Sequence, residues 1–205
     1  MQEEAVNSIK SISSKCTNLP SIEFLVNHYN KIYLGSEGKL STLAQKNSVL
    51  KAIGLLSFNG IKDMSDKQTV FNLAVSQLFE IIKQETTESS IVMAFSQIKL
   101  WISNLLPFEM LDFFWKNVQE FKKSKLATSS TITALYDCLN CYVSNSSNLD
   151  KNYLEEDIIS TLLKSSKNMA SSIGKINIVT ESLYSSVILL NIYKKNNSLG
   201  ICIIF

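Results

Sequence analysis

Apolar residues recur every three or four positions through most of this chain, which is the spacing of one face of an α-helix. The most informative stretch runs from Gly35 to Gly54, where a glycine-bracketed turn leads directly into such a pattern. Its apolar positions are Leu40, Leu43, Ala44, Leu50, Ile53 and, just beyond, Leu56. Because glycine adopts backbone angles that other residues resist, we expect Gly35 and Gly38 to stop one helix and reorient the chain.

The same spacing predicts a series of helices along the rest of the sequence. They run from about Ser21 to Leu34, Leu40 to Phe58, Ser65 to Gln84, Thr87 to Leu106, Pro107 to Phe121, Ser129 to Val143, Asn152 to Met169 and Thr180 to Tyr193. We expect Pro20 to end the preceding segment, Ser21 to cap the first helix, and Ser65 or Asp66 to cap the third.

Every second helix begins near position 21, 66, 107 or 153, a period of roughly 41 to 46 residues that lies within the range of HEAT and armadillo repeats. We therefore predict an all-α fold, an α-solenoid of about four HEAT-like antiparallel helix pairs. Residues 1–20 are predicted to be a polar lead-in or the end of a preceding helix, 21–195 the repeats and 196–205 an apolar tail. A compact helical bundle is the alternative.

Composition agrees with long helices, because the 205 residues include only 2 prolines and 6 glycines. A net charge of +2 is too small to indicate a dedicated nucleic-acid binder, and no DNA partner is expected. The N-terminus lacks a signal-peptide pattern, and no run of about 18 apolar residues predicts a membrane span. We read the 4 cysteines as reduced thiols of a cytoplasmic or nuclear protein.

Candidate catalytic and metal-binding residues are sparse. His28 is the single histidine, and no orienting partner stands beside it. Cys138 and Cys141 have the spacing of a metal knuckle, but two further ligands are missing, so buried structural side chains are the preferred interpretation. The Gly35 to Lys39 segment does not match the spacing of a phosphate-binding loop. We expect no enzyme activity, no metal and no cofactor.

A basic run at Lys122, Lys123 and Lys125 follows a predicted helix. It fits either a solvated helix end that complements the helix dipole or a contact with RNA phosphates. The aromatic residues at 113–115 have the spacing of core residues, although such rings can also stack on bases.

Specific strings in this chain resemble the N-terminal region of the general control translational activator family. Similarity is highest at 35–40 (GSEGKL), 44–46 (AQK), 48–50 (SVL) and 53–54 (IG), and weaker at 100–101, 114–116, 128–130, 180–181 and 189–190. The similarity covers roughly positions 20 to 195. It implies a HEAT-repeat, non-enzymatic protein that associates with stalled or collided ribosomes.

The resemblance also implies partners. Family members help to activate the starvation-responsive kinase of translation initiation factor 2 alpha, together with an ATP-binding-cassette protein. On electrostatic grounds, the expected ribosome-facing residues are Lys39, Lys46, Lys122, Lys123 and Lys125. The alternative function is a generic helical-repeat adaptor that binds other proteins.

The length and the ending of the chain depart from this family. The central elongation-factor-like region and the C-terminal kinase-binding region have no counterpart, and Asn196 to Phe205 no longer resembles the family. A terminal repeat normally has a polar outer face, whereas this ending is apolar. We therefore expect a fragment or a truncated gene product.

Overall fold

The computed structural model describes residues 2–35, 40, 42–57, 59–104, 111–145, 181 and 183–192. Regular structure in these ranges is entirely α-helical. The helices are α1 (Gln2–Ser13), α2 (Leu19–Tyr33), α3 (Leu43–Leu55), α4 (Met64–Gln84), α5 (Glu88–Asn104), α6 (Leu111–Phe121) and α7 (Ser129–Asn145), and 183–192 is helical as well. The chain divides into two compact units, Met1–Leu105 and Leu106–Phe205.

Helices of the N-terminal unit lie in two layers. α2 and α3 form one hairpin and α4 and α5 form the next, while α2 packs on α4 and α3 packs on α5. α1 packs on α3, so one layer holds α2 and α4 and the other holds α1, α3 and α5. Stacking of consecutive hairpins in this way is the arrangement of an α-solenoid, because a single hairpin cannot cover its own apolar face. The predicted all-α fold of stacked helix pairs is confirmed.

The core of this unit lies between the layers. α4 contributes most of it, because its apolar residues repeat at helical spacing along 21 residues. Trp101 of α5 is buried, and its indole Nε1 donates a hydrogen bond of 3.0 Å to the carbonyl oxygen of Ile53 in α3. The rings of Trp101 and Phe71 meet edge to face, with centroids 6.4 Å apart. One side chain thus joins α3, α4 and α5.

Three helices of this unit begin at residues whose side chains accept hydrogen bonds from the first turn. The cap of α2 is Asn18, which accepts from the backbone N–H of Ser21, and Pro20 lies within the first turn. The predicted Ser21 cap was therefore wrong: proline is favoured in a helical first turn, where its missing N–H costs nothing. The cap of α4 is likewise Asp63 rather than Ser65 or Asp66, because its carboxylate accepts from both of their backbone N–H groups.

Two glycines meet specific backbone requirements in this unit. Gly35 has a φ of 81°, which confirms that it ends α2 by a conformation other residues resist. A Cβ atom at Gly60 would lie 2.2 Å from the carbonyl oxygen of Cys16, so the turn before α4 approaches the turn after α1 too closely for any side chain. Thr42 caps the N-terminus of α3 and forms a capping box with Gln45.

The C-terminal unit contains α6, α7 and the helix at 183–192. Phe114 of α6 stacks on Tyr142 of α7, with ring centroids 5.6 Å apart. Asn191 donates a hydrogen bond of 2.7 Å to the side-chain oxygen of Asn140, which joins α7 to the helix at 183–192. The predicted start at Pro107, the helix from Asn152 to Met169 and the tail 196–205 lie outside the described residues, and the predicted division at residues 20 and 195 stays a prediction.

Candidate functional site

A buried carboxylate joins three helices of the N-terminal unit. Glu85 caps the C-terminus of α4 and is only 7% exposed. Its Oε2 accepts hydrogen bonds from the hydroxyl of Tyr33 in α2 and from the Nζ of Lys46 in α3, the latter at 3.3 Å. Its Oε1 accepts from the backbone N–H of Thr86 at 2.9 Å, just before α5. Lys46 also lies over the Tyr33 ring, 5.4 Å from its centroid.

The protonation of this cluster follows from its donors. Burial alone would raise the pKa of Glu85, but the hydrogen bonds from Tyr33, the Thr86 backbone and Lys46, together with the charge of Lys46, outweigh it and lower that pKa. Burial and the hydrogen bond to Glu85 raise the pKa of Tyr33. At neutral pH the cluster therefore contains a carboxylate and a neutral phenol beside Lys46, and its contacts connect α2, α3 and α4.

A second cluster of the same composition lies in the C-terminal unit. Glu181 forms an ion pair with Lys122, which directly follows α6, and accepts a hydrogen bond of 3.0 Å from the hydroxyl of Tyr136 in α7. Both charged side chains are about four-fifths covered, at 20% and 19% exposure. Burial, and then the charge of Glu181, raise the pKa of Tyr136. In both units a tyrosine and a lysine thus hold a glutamate that is distant from them in the sequence.

The turn between α6 and α7 presents two other lysines to solvent. Lys123 and Lys125 are exposed. The hydroxyl of Thr131 shapes this turn, since it donates to the carbonyl of Leu126 at 2.6 Å and accepts from the backbone N–H of Thr128 at 2.9 Å. An ordered turn with two solvated ammonium groups can contact phosphates at little conformational cost.

The five predicted ribosome-facing lysines therefore have different surroundings. Lys123 and Lys125 are exposed, whereas Lys46 and Lys122 pair with the covered carboxylates of Glu85 and Glu181. Lys39 lies outside the described residues. Whether any of them contacts a ribosome stays a prediction, but the geometry ranks the two exposed lysines first.

Sequence reasoning did not identify Glu85 and Glu181 as members of these clusters, because their partners are far away in the sequence. Glu85 lies 52 residues from Tyr33 and 39 residues from Lys46, and Glu181 lies 59 residues from Lys122. Glu85 follows the apolar stripe of α4 within a polar turn, as many solvated acids do. Only the stacking of the hairpins brings its donors together.

His28, Cys138 and Cys141 are the remaining residues considered for catalysis or metal binding. His28 is half-buried and stacks on Phe24, with ring centroids 5.7 Å apart. Cys138 is buried and Cys141 is half-buried. The described part of the chain holds no group of three or more His, Cys, Asp or Glu residues placed to bind a metal. Nor does any helix in that part have both the length and the apolarity to cross a membrane.

These features define a class of protein: stacked helix hairpins with solvated polar turns, tied together by buried polar clusters. Over 193 residues the chain is 28% identical to the human "Stalled ribosome sensor GCN1", a match that covers 94% of this chain and 7% of that protein. It is 30% identical over 193 residues to the mouse protein of the same name, covering 92% of this chain and 7% of the relative. No protein-family model matches, and no solved structure matches.

The sequence analysis noted a resemblance to the general control translational activator family, and the matches to these two relatives confirm it. Similarity along nearly the whole chain, and not at one motif alone, is what a shared fold produces. The chain spans about 7% of the length of the relatives that it matches. The activity of those whole proteins is therefore not assigned to this chain by the match.

Proposed function

We propose that this chain is a non-enzymatic, cytoplasmic helical-repeat segment that associates with ribosomes and contributes to the sensing of stalled or collided ones. The observation that carries the proposal is the match to the stalled ribosome sensor over 94% of the chain. The two-layer hairpin stack supports it, because α-solenoids of this kind act by offering extended surfaces to large partners.

The contact we propose is with phosphates of ribosomal RNA at the turn between α6 and α7. Lys123 and Lys125 supply the charge there, and Thr131 holds the turn in shape. Net charge is only +2, so the contact depends on this local concentration of lysine rather than on a basic surface as a whole. Such a contact weakens as salt concentration rises, because bound phosphates release their counterions.

The proposal includes a second role that the resemblance implies. In that role the chain helps to activate the kinase of initiation factor 2 alpha, together with an ATP-binding-cassette protein. For this segment the role is an indirect one, in which the repeats hold a position on the ribosome. Phosphorylation of the initiation factor in amino-acid-starved cells, with and without the 205-residue chain, measures it. Unchanged phosphorylation would refute the kinase role, whereas ribosome binding is tested by a separate experiment.

Sedimentation of the tagged chain through sucrose gradients of cell lysate tests the ribosome contact. We expect co-migration with ribosomes that increases when stalling is induced and decreases at higher salt. The double variant Lys123→Glu/Lys125→Glu should lose most of this co-migration and reduce the slope of log affinity against log salt by about 1 per lysine.

The matched control changes two exposed lysines of the N-terminal unit in the same way, as Lys51→Glu/Lys62→Glu. It alters the net charge equally, so it should retain binding if the contact is local. Equal loss in both variants would refute the assignment to this turn. A wild-type chain that stays at the top of the gradient under all conditions would refute ribosome association, and salt-resistant capture of proteins without ribosomal RNA would favour the adaptor function.

A further inference from the structure

Ser124 lies between the two exposed lysines of the turn between α6 and α7. It is exposed itself, as are Lys123 and Lys125. Among all serine and threonine residues of the sequence, it alone has a lysine on both sides. A third lysine, Lys122, stands one position further back. The turn therefore presents an alcohol within a basic stretch of chain.

The hydroxyl of Ser124 is accessible at the surface. Its Oγ accepts a hydrogen bond of 3.1 Å from the backbone N–H of Leu126, and a hydroxyl that accepts in this way still carries its own proton. The backbone N–H of Ser124 donates to the carbonyl of Phe121 at 2.8 Å, and its carbonyl accepts from Ala127 at 3.2 Å. These partners belong to the turn or to the last residue of α6, so opening the hydrogen bonds of Ser124 is a local event.

The other hydroxyl groups of this turn are less suited to modification. Thr131 is completely buried and is engaged in the hydrogen bonds that shape the turn. Thr128 and Ser129 are half-buried. Ser130 is exposed, but it lies in the first turn of α7 and has no lysine next to it. Ser124 thus combines exposure with basic neighbours, and Ser130 is the matched comparison.

We propose that Ser124 is a phosphorylation site, modified by a serine kinase with an acidic substrate groove, and that the phosphate releases the turn from ribosomal RNA. This inference rests on the proposed function, since it concerns the control of the same RNA contact. An acidic groove selects this serine by charge, because lysines at positions −2, −1 and +1 from it complement such a groove.

The modification transfers the γ-phosphoryl group of ATP. The Oγ of Ser124 forms a bond to the γ-phosphorus, the bond from that phosphorus to the oxygen that bridges it to ADP breaks, and ADP leaves. The hydroxyl proton passes to the aspartate base of the kinase. The product carries a phosphate monoester in place of the hydroxyl hydrogen.

The charge of this phosphate switches the contact. A phosphoserine carries about −1.5 to −2 at neutral pH, which offsets the positive charges of Lys123 and Lys125. Its oxygens accept charge-assisted hydrogen bonds from neighbouring ammonium groups, so the lysines become engaged within the turn. The same negative charge repels the phosphates of RNA. The two lysines then have no surplus charge with which to hold RNA.

Phosphate incorporation tests the site by itself. The 205-residue chain is incubated with ATP and a purified serine kinase that prefers basic substrates, and tandem mass spectrometry locates the phosphate. We expect it on Ser124, with unchanged incorporation in Ser130→Ala, loss in Ser124→Ala, and recovery in Ser124→Thr, which restores the alcohol. Incorporation at Ser130 in place of Ser124, or none at Ser124, would overturn the proposal.

Binding to purified ribosomes over a range of salt concentrations tests the release. Phosphorylation should reduce the slope of log affinity against log salt by about 2, which is the loss of two lysine contacts. Ser124→Asp adds a single negative charge and should reduce that slope by about 1. The matched control is Ser96→Asp, which adds the same charge at an exposed position of α5 and should bind as the wild type does.

The outcomes separate this inference from the proposed function. Equal ribosome binding by the phosphorylated and the unmodified chain would overturn the release and leave the proposed function intact. An unmodified chain that binds no ribosomes would refute the proposed function, and the release with it. Equal weakening by Ser96→Asp and Ser124→Asp would mean that net charge, and not this turn, controls the contact, which would also overturn the inference.

Discussion

The indole nitrogen of Trp101 donates a hydrogen bond of 3.0 Å to the carbonyl oxygen of Ile53, in the last turn of α3. The final carbonyls of a helix lack the usual partner one turn further on. The carbonyl of Ile53 accepts from the backbone N–H of Leu56 at 3.3 Å, and the indole supplies a second donor. A side chain of α5 thus completes the C-terminus of α3, and the two helices depend on each other for a polar contact as well as for packing.

Trp101→Phe should lower the free energy of unfolding by about 1 to 3 kcal/mol, because it removes one hydrogen bond to the Ile53 carbonyl and leaves space in the core where the larger indole was. Urea denaturation followed by circular dichroism measures the loss. The substitution Leu100→Ala, at a neighbouring position that is 40% exposed, should change the midpoint far less. Equal midpoints for Trp101→Phe and wild type would show that this hydrogen bond does not stabilise the hairpin stack.

Acid should weaken the N-terminal unit through Glu85. Its pKa in the folded chain lies below the ordinary value of 4.5, so its contribution to stability is present above pH 4.5 and is lost as the pH falls through the lower folded pKa. Unfolding midpoints measured across this range should fall for the wild type. In Glu85→Gln the starting stability should be lower and the acid dependence shallower, whereas an acid dependence identical to that of the wild type would exclude Glu85 as its source.

Alkali should act through Tyr33 and Tyr136, two buried tyrosines whose hydroxyls donate to glutamates. Burial and a neighbouring glutamate raise the pKa of Tyr33 and of Tyr136 above the ordinary value of 10.0. The stability that each contributes is therefore fully present below pH 10 and is lost as the pH rises above it toward the folded pKa. Absorbance of the ionised phenol should show these two among the last of the 7 tyrosines to titrate, together with unfolding. Tyr33→Phe should remove one late-titrating group, and an unchanged titration curve would contradict the assignment.

Gly60→Ala should destabilise the N-terminal unit. The added Cβ would lie 2.2 Å from the carbonyl oxygen of Cys16 and 2.9 Å from that of Ser14, so backbone must move to admit it. Overpacking of this kind costs about 1 to 3 kcal/mol. Asn59→Ala, at the exposed neighbouring position, is the control for thermal denaturation. A Gly60→Ala variant as stable as wild type would mean that the two turns separate freely.

Helix positions could be predicted from the sequence because the signal is local. Apolar residues at three-four spacing along α4 give an amphipathic face whatever lies around it, and the predicted and observed ends of that helix agree at Gln84. Helix starts were less accurate, as the caps Asn18 and Asp63 show, because several neighbouring polar residues can accept from the same N–H groups. The family resemblance was also available from the sequence, since the GSEGKL string and its neighbours lie within one short stretch.

The surroundings of the lysines were decided only by tertiary structure. Lys46 and Lys123 look alike in sequence, yet the first pairs with a buried carboxylate 39 residues away and the second extends into solvent. Leu183, Val187 and Leu190 are a similar case, because their helical spacing is that of a buried face, yet each is about half exposed. The sequence by itself determined an all-helical chain of paired repeats, since helical periodicity is a property of neighbouring residues. Which charges are available to a partner and which apolar faces remain open depend on contacts between distant residues, and only the packed hairpins determine those.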